Sequence, residues 1–337
     1  MELAAAGGGW RMPAESEPHD CTWMAWPSAG YADGDAARDA WAAVALAVAE
    51  FEPVRMVVDP GAVAGARDRL GGDVEYFEAP LDDAWMRDIG PTFVVGPAGL
   101  GAVDWVFNGW GGQSWATWER DARIGRLVAE WAGATIVGSE LVNEGGGIHV
   151  DGHGTVLVTE TVQLDPGRNP GWSRAGVEAE LRRTLGVREV VWLPRGLTRD
   201  YGEYGTRGHV DIVATLIGPE TVLVHDQQDP RHPDFAVTKL VKAAFPQHWT
   251  VVDLPAPDEL TDEHGPVDHS YVNHLVCNAG VVAGTFGDPR DAAACEILAG
   301  AYPGRRVVGV DARAIFALGG GVHCITQQQP AVPGGRS

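Results

Sequence analysis

The chain has 337 residues, 45% of them hydrophobic and 21% charged, a balance that builds a buried core and excludes a disordered chain. It carries 25 Lys and Arg against 46 Asp and Glu, a formal net charge of −21. That acidity argues against nucleic-acid phosphates and anionic membrane surfaces as partners, and favours a small cationic ligand.

Residues 1–11 and 331–337 read as loose tails, and the chain between them as one domain over residues 12–330. The start lacks a basic n-region and a long apolar run, so no secretory leader is expected. A helix is predicted over 35–51, too short in its apolar part to cross a bilayer. Strands are predicted over 54–58 and 92–95, then a helix over 118–132. A strand over 155–159, a helix over 173–185 and a strand over 189–193 follow. Strands over 212–217 and 221–225, a strand over 281–283, a helix over 288–301 and a strand over 307–310 complete the series. Asn169-Pro170-Gly171 and Pro303-Gly304 punctuate it. Strands alternating with helices imply an α/β fold.

The four cysteines, Cys21, Cys277, Cys295 and Cys324, form no C-x-x-C pair, which speaks against a zinc ribbon, and with no secretory leader expected, reduced thiols in a cytoplasm are expected. Cys277 and Cys295 lie in apolar, buried-looking runs. Cys324 follows glycines and His323, a better setting for a reactive thiol. The run Gly145-Gly146-Gly147-Ile148-His149-Val150 is echoed by Gly319-Gly320-Gly321-Val322-His323-Cys324. A repeated unit would place these loops around a common centre.

Three further segments set polar side chains beside glycine, where the backbone can turn or approach a ligand. They are Trp85-Met86-Arg87-Asp88-Ile89-Gly90-Pro91, Asn143-Glu144-Gly145 and Gly208-His209-Val210-Asp211. If 209–211 is extended, His209 and Asp211 point to one face and can act as proton carrier and substrate anchor. Spacing alone equally allows a strand edge facing water. For Asp88 the alternative is a turn cap or an ion pair with Arg87, and for Glu144 a surface loop acid. A rival reading takes His149, Asp151 and His153 as metal ligands, although Gly152 and Gly154 suggest a turn there.

Taken together, these segments resemble the agmatine deiminase family, a branch of the guanidine-modifying enzymes that also holds bacterial peptidylarginine deiminases. The likeness spans most of the chain. It starts with Met12-Pro13-Ala14-Glu15 and Thr22-Trp23-Met24-Ala25-Trp26-Pro27, and continues through the Trp85–Pro91 and Glu144–Gly146 segments. It then takes in Arg168-Asn169-Pro170, Gly208-His209-Val210-Asp211 and His323-Cys324-Ile325-Thr326-Gln327-Gln328. The resemblance implies a five-bladed pseudosymmetric α/β-propeller of ββαβ units. By it, Cys324 is the nucleophile, His209 the general acid/base and Glu144 the acid supporting that His. Asp88 and Asp211 bind a guanidinium, Trp85 forms an aromatic wall, and Gly320 and Gly321 belong to the substrate-binding set. It implies no metal or organic cofactor, and relatives that often self-associate.

The sequence departs from the family at Ser16, at His153, over residues 201–207 and at Ala283-Gly284-Thr285. Arg207 beside the site is expected to disfavour an amine tail or favour a carboxylate. Deimination of agmatine leads the readings. Deimination of arginine or peptidyl arginine, amidino transfer, metal-dependent hydrolysis and a non-enzymatic binding protein are the alternatives.

Overall fold

A computed structural model describes residues 9–262 and 265–332. Among the described residues the strands form six sheets, one of them a two-stranded ribbon of Thr261–Asp262 and Gly265–Pro266, and the other five share one connection pattern. In each, a first strand lies antiparallel to a second, and a helix carries the chain to a third strand parallel to that second one. A parallel pair needs such a crossover.

Four of these units follow in chain order. Thr92–Gly96, Gly99–Val106 and Thr135–Val142 join through helix Ile124–Trp131. Ile148–Val150, Thr155–Thr159 and Glu189–Leu193 join through Arg174–Leu185. Ala214–Gly218, Thr221–Asp226 and Thr250–Pro255 join through Asp234–Ala244. Leu275–Val276, Gly280–Thr285 and Arg306–Asp311 join through Asp291–Ala301. The fifth unit is made from both ends of the chain. Its first strand is Thr326–Pro330, antiparallel to His19–Ala25. Helix Asp35–Ala49 then leads to the parallel strand Val54–Val58, and Glu75–Glu78 extends the sheet. The largest core lies in this sheet and the adjoining units, with Trp23, Trp26, Trp41 and Met56 fully buried.

Several expected bounds shift for local reasons. The helix expected over 118–132 begins at Ile124, after a 3-10 turn over Asp121–Arg123, because the buried Asp121 carboxylate accepts the Asp82 N–H. The strand expected from residue 212 begins at Ala214, and Val210–Ile212 forms a 3-10 turn. The Asp200 carboxylate, accepting the N–H groups of Gly208 and His209, bends that segment away from an extended course. Arg11, expected in a loose tail, is held in place. It bridges to Val95 through the backbone, and its guanidinium pairs with Glu17. Ala331, also expected in a loose tail, donates its N–H to the Pro18 carbonyl, and residues 1–8 and 333–337 of those tails lie outside the described residues. Cys295 is half-buried and not enclosed, whereas Cys277 is buried as expected. Among the described residues no helix is long and apolar enough to cross a membrane.

Candidate active site

The turns that precede the first strand of each unit carry the reactive side chains. Asp88 ends a short helix, Met86–Ile89, four residues before Thr92. Glu144 stands four residues before Ile148, His209 and Asp211 just before Ala214, and Cys324 two before Thr326. The remaining unit supplies Asn273, two residues before Leu275. Chemistry-bearing residues far apart in sequence therefore occupy equivalent places in the five units.

These turns meet in a buried cluster. Cys324 Sγ lies 3.5 Å from Asp211 Oδ2 and accepts a hydrogen bond from Asn273 Nδ2 at 3.2 Å. His209 Nε2 pairs with Glu144 Oε2 at 3.1 Å, and its Nδ1 lies 3.8 Å from Asp88 Oδ1. Asp88 accepts the Gly146 N–H on Oδ1 and the Trp110 indole N–H on Oδ2, at 3.1 and 2.9 Å. Glu144, allowed by its sequence context to be a surface acid, is fully buried against the Arg168 guanidinium at 3.0 Å. His323 bridges two acids, Asp211 at 2.8 Å and Glu15 at 2.7 Å.

The glycines earn their places by close approach. A Cβ on Gly320 would come 2.5 Å from the Trp85 ring and 3.1 Å from Cys324 Cβ, so Trp85 and the thiol share one wall. A Cβ on Gly321 would collide with Asn273 Oδ1, and one on Gly146 with His209 Nδ1. The glycine echo is not matched in register, since Gly145–Gly147 abut the strand Ile148–Val150 whereas Gly321 stands five residues before the strand that starts at Thr326. The two echoed histidines, His149 and His323, lie with ring centroids 6.3 Å apart.

Sequence reasoning gave no role to Asn273, His323 or Trp110. The topological equivalence of the five turns is the signal that finds Asn273. The rival metal reading does not assemble. Asp151 closes a turn by accepting the N–H groups of His153 and Thr155, His149 is bound to Thr215, and His153 is exposed. Among the described residues no three His, Cys, Asp or Glu side chains sit at metal-ligating spacing. Arg207 pairs with Asp165 at 3.4 Å.

The sequence model of the Porphyromonas-type peptidyl-arginine deiminases matches residues 11–330. A Streptomyces coelicolor relative is 58% identical over 334 residues, covering 95% of this chain and 98% of its own. The chain belongs to this deiminase family. An agmatine deiminase of Pseudomonas aeruginosa is 40% identical over 357 residues, with 96% of each chain covered. The solved agmatine deiminase of Enterococcus faecalis superposes with a TM-score of 0.90 at 30% identity, over 98% of this chain and 99% of that one. The mixed α/β fold is that of the solved agmatine and peptidyl-arginine deiminases.

In this deiminase-family chain the buried groups divide sharply in charge state. Burial, and then the charges of Asp211 and Asp88, push the Cys324 thiol well above its ordinary value. Burial lifts Asp88 to about 6, helped by Glu144 and Asp211 and opposed by His209. Burial also works against Asp211, but His323, His209 and Arg87 outweigh it and hold Asp211 below the usual range. Glu144 is likewise opposed by burial, yet Arg168 and His209 bring it down to about 2. His209 overcomes its burial through Asp88 and Glu144 and rises to about 9. At neutral pH it is an imidazolium, a proton donor.

Proposed function

We propose that this chain hydrolyses the guanidinium of agmatine to N-carbamoylputrescine and ammonia, with Cys324 as nucleophile. Membership of the deiminase family makes it a hydrolase of amidine C–N bonds. One observation carries the reading of the site. Among the described residues, His209 Nδ1 and Asp211 Oδ1 are buried without a hydrogen-bond partner near one thiol. Buried polar atoms are rarely left so, and such a set marks the place of a ligand. A planar guanidinium with N–H donors in a fixed fork matches carboxylates on two sides, here Asp88 and Asp211.

The bound cation stabilises the Cys324 thiolate that the two aspartates otherwise oppose. Sulfur attacks the central carbon and forms a neutral tetrahedral adduct. The His209 imidazolium gives its Nδ1 proton to one amino group, the C–N bond breaks, and ammonia leaves. A cationic amidino-thioether stays on Cys324. Water then attacks the same carbon, losing a proton to the neutral His209. The C–S bond breaks as the hydroxyl proton of the adduct passes to the departing sulfur, which restores the Cys324 thiol whose proton was released on substrate binding, and the neutral ureido product departs. Glu144, anchored by Arg168, keeps the His209 ring in place and favours its charged form. In this reading the five units surround a common centre as blades of a propeller. The free thiols suit a reducing cytoplasm.

The test is Cys324→Ala. Ammonia release from agmatine should fall by about 10⁴-fold or more, while calorimetric binding of agmatine persists. Substantial turnover by that variant would refute the assignment.

A further inference from the structure

Beside the thiol site lies a second hollow of about 250 Å³. Its wall includes Gly319, which adjoins Gly320, and Tyr204, which stacks on Tyr31 with ring centroids 4.5 Å apart. Tyr31 in turn stacks on Trp85 at 6.4 Å. The hollow is therefore joined to the Trp85 wall through aromatic rings and through the glycine run itself. Tyr204 holds a φ of 62°, a strained conformation for an aromatic residue, which turns its ring into this stack.

Four charged residues line the hollow: Arg199, Asp200, Glu203 and Asp268. Two are already engaged. Arg199 pairs with Asp262 at 2.6 Å. The Asp200 carboxylate accepts from Thr206, Gly208 and His209. Glu203 is exposed at the rim. Asp268 differs from all three. It is only 7% exposed, it lines the hollow, and among the described residues its carboxylate is in contact with its own backbone N–H but with no cation. A buried carboxylate without a paired charge is costly unless a cation completes it. Phe316 and Tyr204 supply apolar surface next to it. Arg207, expected from the sequence to oppose an amine tail, is not part of this wall and is turned to Asp165.

We infer that Asp268 is the specificity-determining residue for the far end of the substrate, taking a primary ammonium carried on a short alkyl chain. The methylenes would lie along Tyr204 and Phe316, with the guanidinium at Cys324. The inference rests on the deiminase reading above and names the tail that the site selects.

The experiment compares agmatine with n-pentylguanidine, in which a methyl group replaces the ammonium. Wild-type protein should show a KM for agmatine about tenfold to a hundredfold lower, the range expected of a charge-assisted hydrogen bond. Asp268→Asn should erase most of that ratio, through KM and not kcat, and Asp268→Ser should do the same if the amide variant folds poorly. Equal KM values for the two substrates in the wild type, or an unchanged ratio in a folded Asp268 variant, would overturn the inference and leave deimination standing. No ureido product from either guanidine would instead defeat the deiminase reading.

Discussion

Two carboxylates face the same sulfur, but they ionise differently, and the difference is measurable. Asp211 is held ionised by His323, whereas burial lifts Asp88 to about 6. Guanidinium binding needs both charges, so protonating Asp88 weakens capture. In the free enzyme kcat/KM should then fall below about pH 6, by up to tenfold per pH unit. The bound cation favours ionised Asp88, so the acid limb of kcat should lie at lower pH than that of kcat/KM. Coincident limbs would count against Asp88 as a guanidinium ligand. The thiol makes a complementary prediction. Because burial and the two aspartates raise Cys324, the free enzyme holds a thiol at neutral pH. Iodoacetamide labelling of the Cys324 peptide, followed by mass spectrometry, should be slow at pH 7 and still be climbing at pH 9. A labelling rate already level at pH 7 would mean a preformed thiolate.

At the scale of elements, the turn before each first strand holds its reactive group against a neighbouring turn, and glycine makes that closeness possible. Gly146→Ala drives a methyl group into His209 Nδ1, and Gly320→Ala drives one into the Trp85 ring. Neither glycine has a φ in the left-handed region, so the cost falls on the neighbours. Displacing a reacting group by about 1 Å can cost about 10²-fold in rate. Both variants should lose about that much kcat/KM while keeping a cooperative thermal transition. A loss of folding in both would mean the glycines serve the scaffold instead. Much at this scale was legible in the sequence. Val54–Val58, Thr155–Thr159 and Glu189–Leu193 appear where β-branched runs place them. Asp88, Glu144, His209, Asp211 and Cys324 converge as the ordered motifs imply. Other features were hidden for physical reasons. Thr326–Pro330 reads as polar chain, because its glutamines are buried only through a partner some 300 positions away. Gln329 Oε1, for instance, accepts the Trp23 indole N–H. The His209–Asp211 segment looks extended until the Asp200 carboxylate is seen to bend it. Asn273 carries no charge and sits in no glycine motif, so only its place in the turn before Leu275–Val276 marks it.

Across the whole molecule, the net charge of −21 bears on the encounter with substrate and not on the chemistry. A cation approaching an acidic protein is steered by its long-range field, and salt screens that field over about 10 Å at 0.1 M. The buried pairs that hold the site are screened far less, so ionic strength separates capture from turnover. For agmatine, with two positive charges, kcat/KM should fall steeply between low salt and 0.5 M sodium chloride, while kcat changes little. For n-pentylguanidine, with one charge, the same titration should give a shallower slope. Stopped-flow or initial-rate measurements at fixed pH can read both. Equal slopes for the dication and the monocation would show that the acidity serves solubility alone. A kcat that falls in parallel with kcat/KM would show that salt reaches the buried carboxylates, against their enclosure within the five turns.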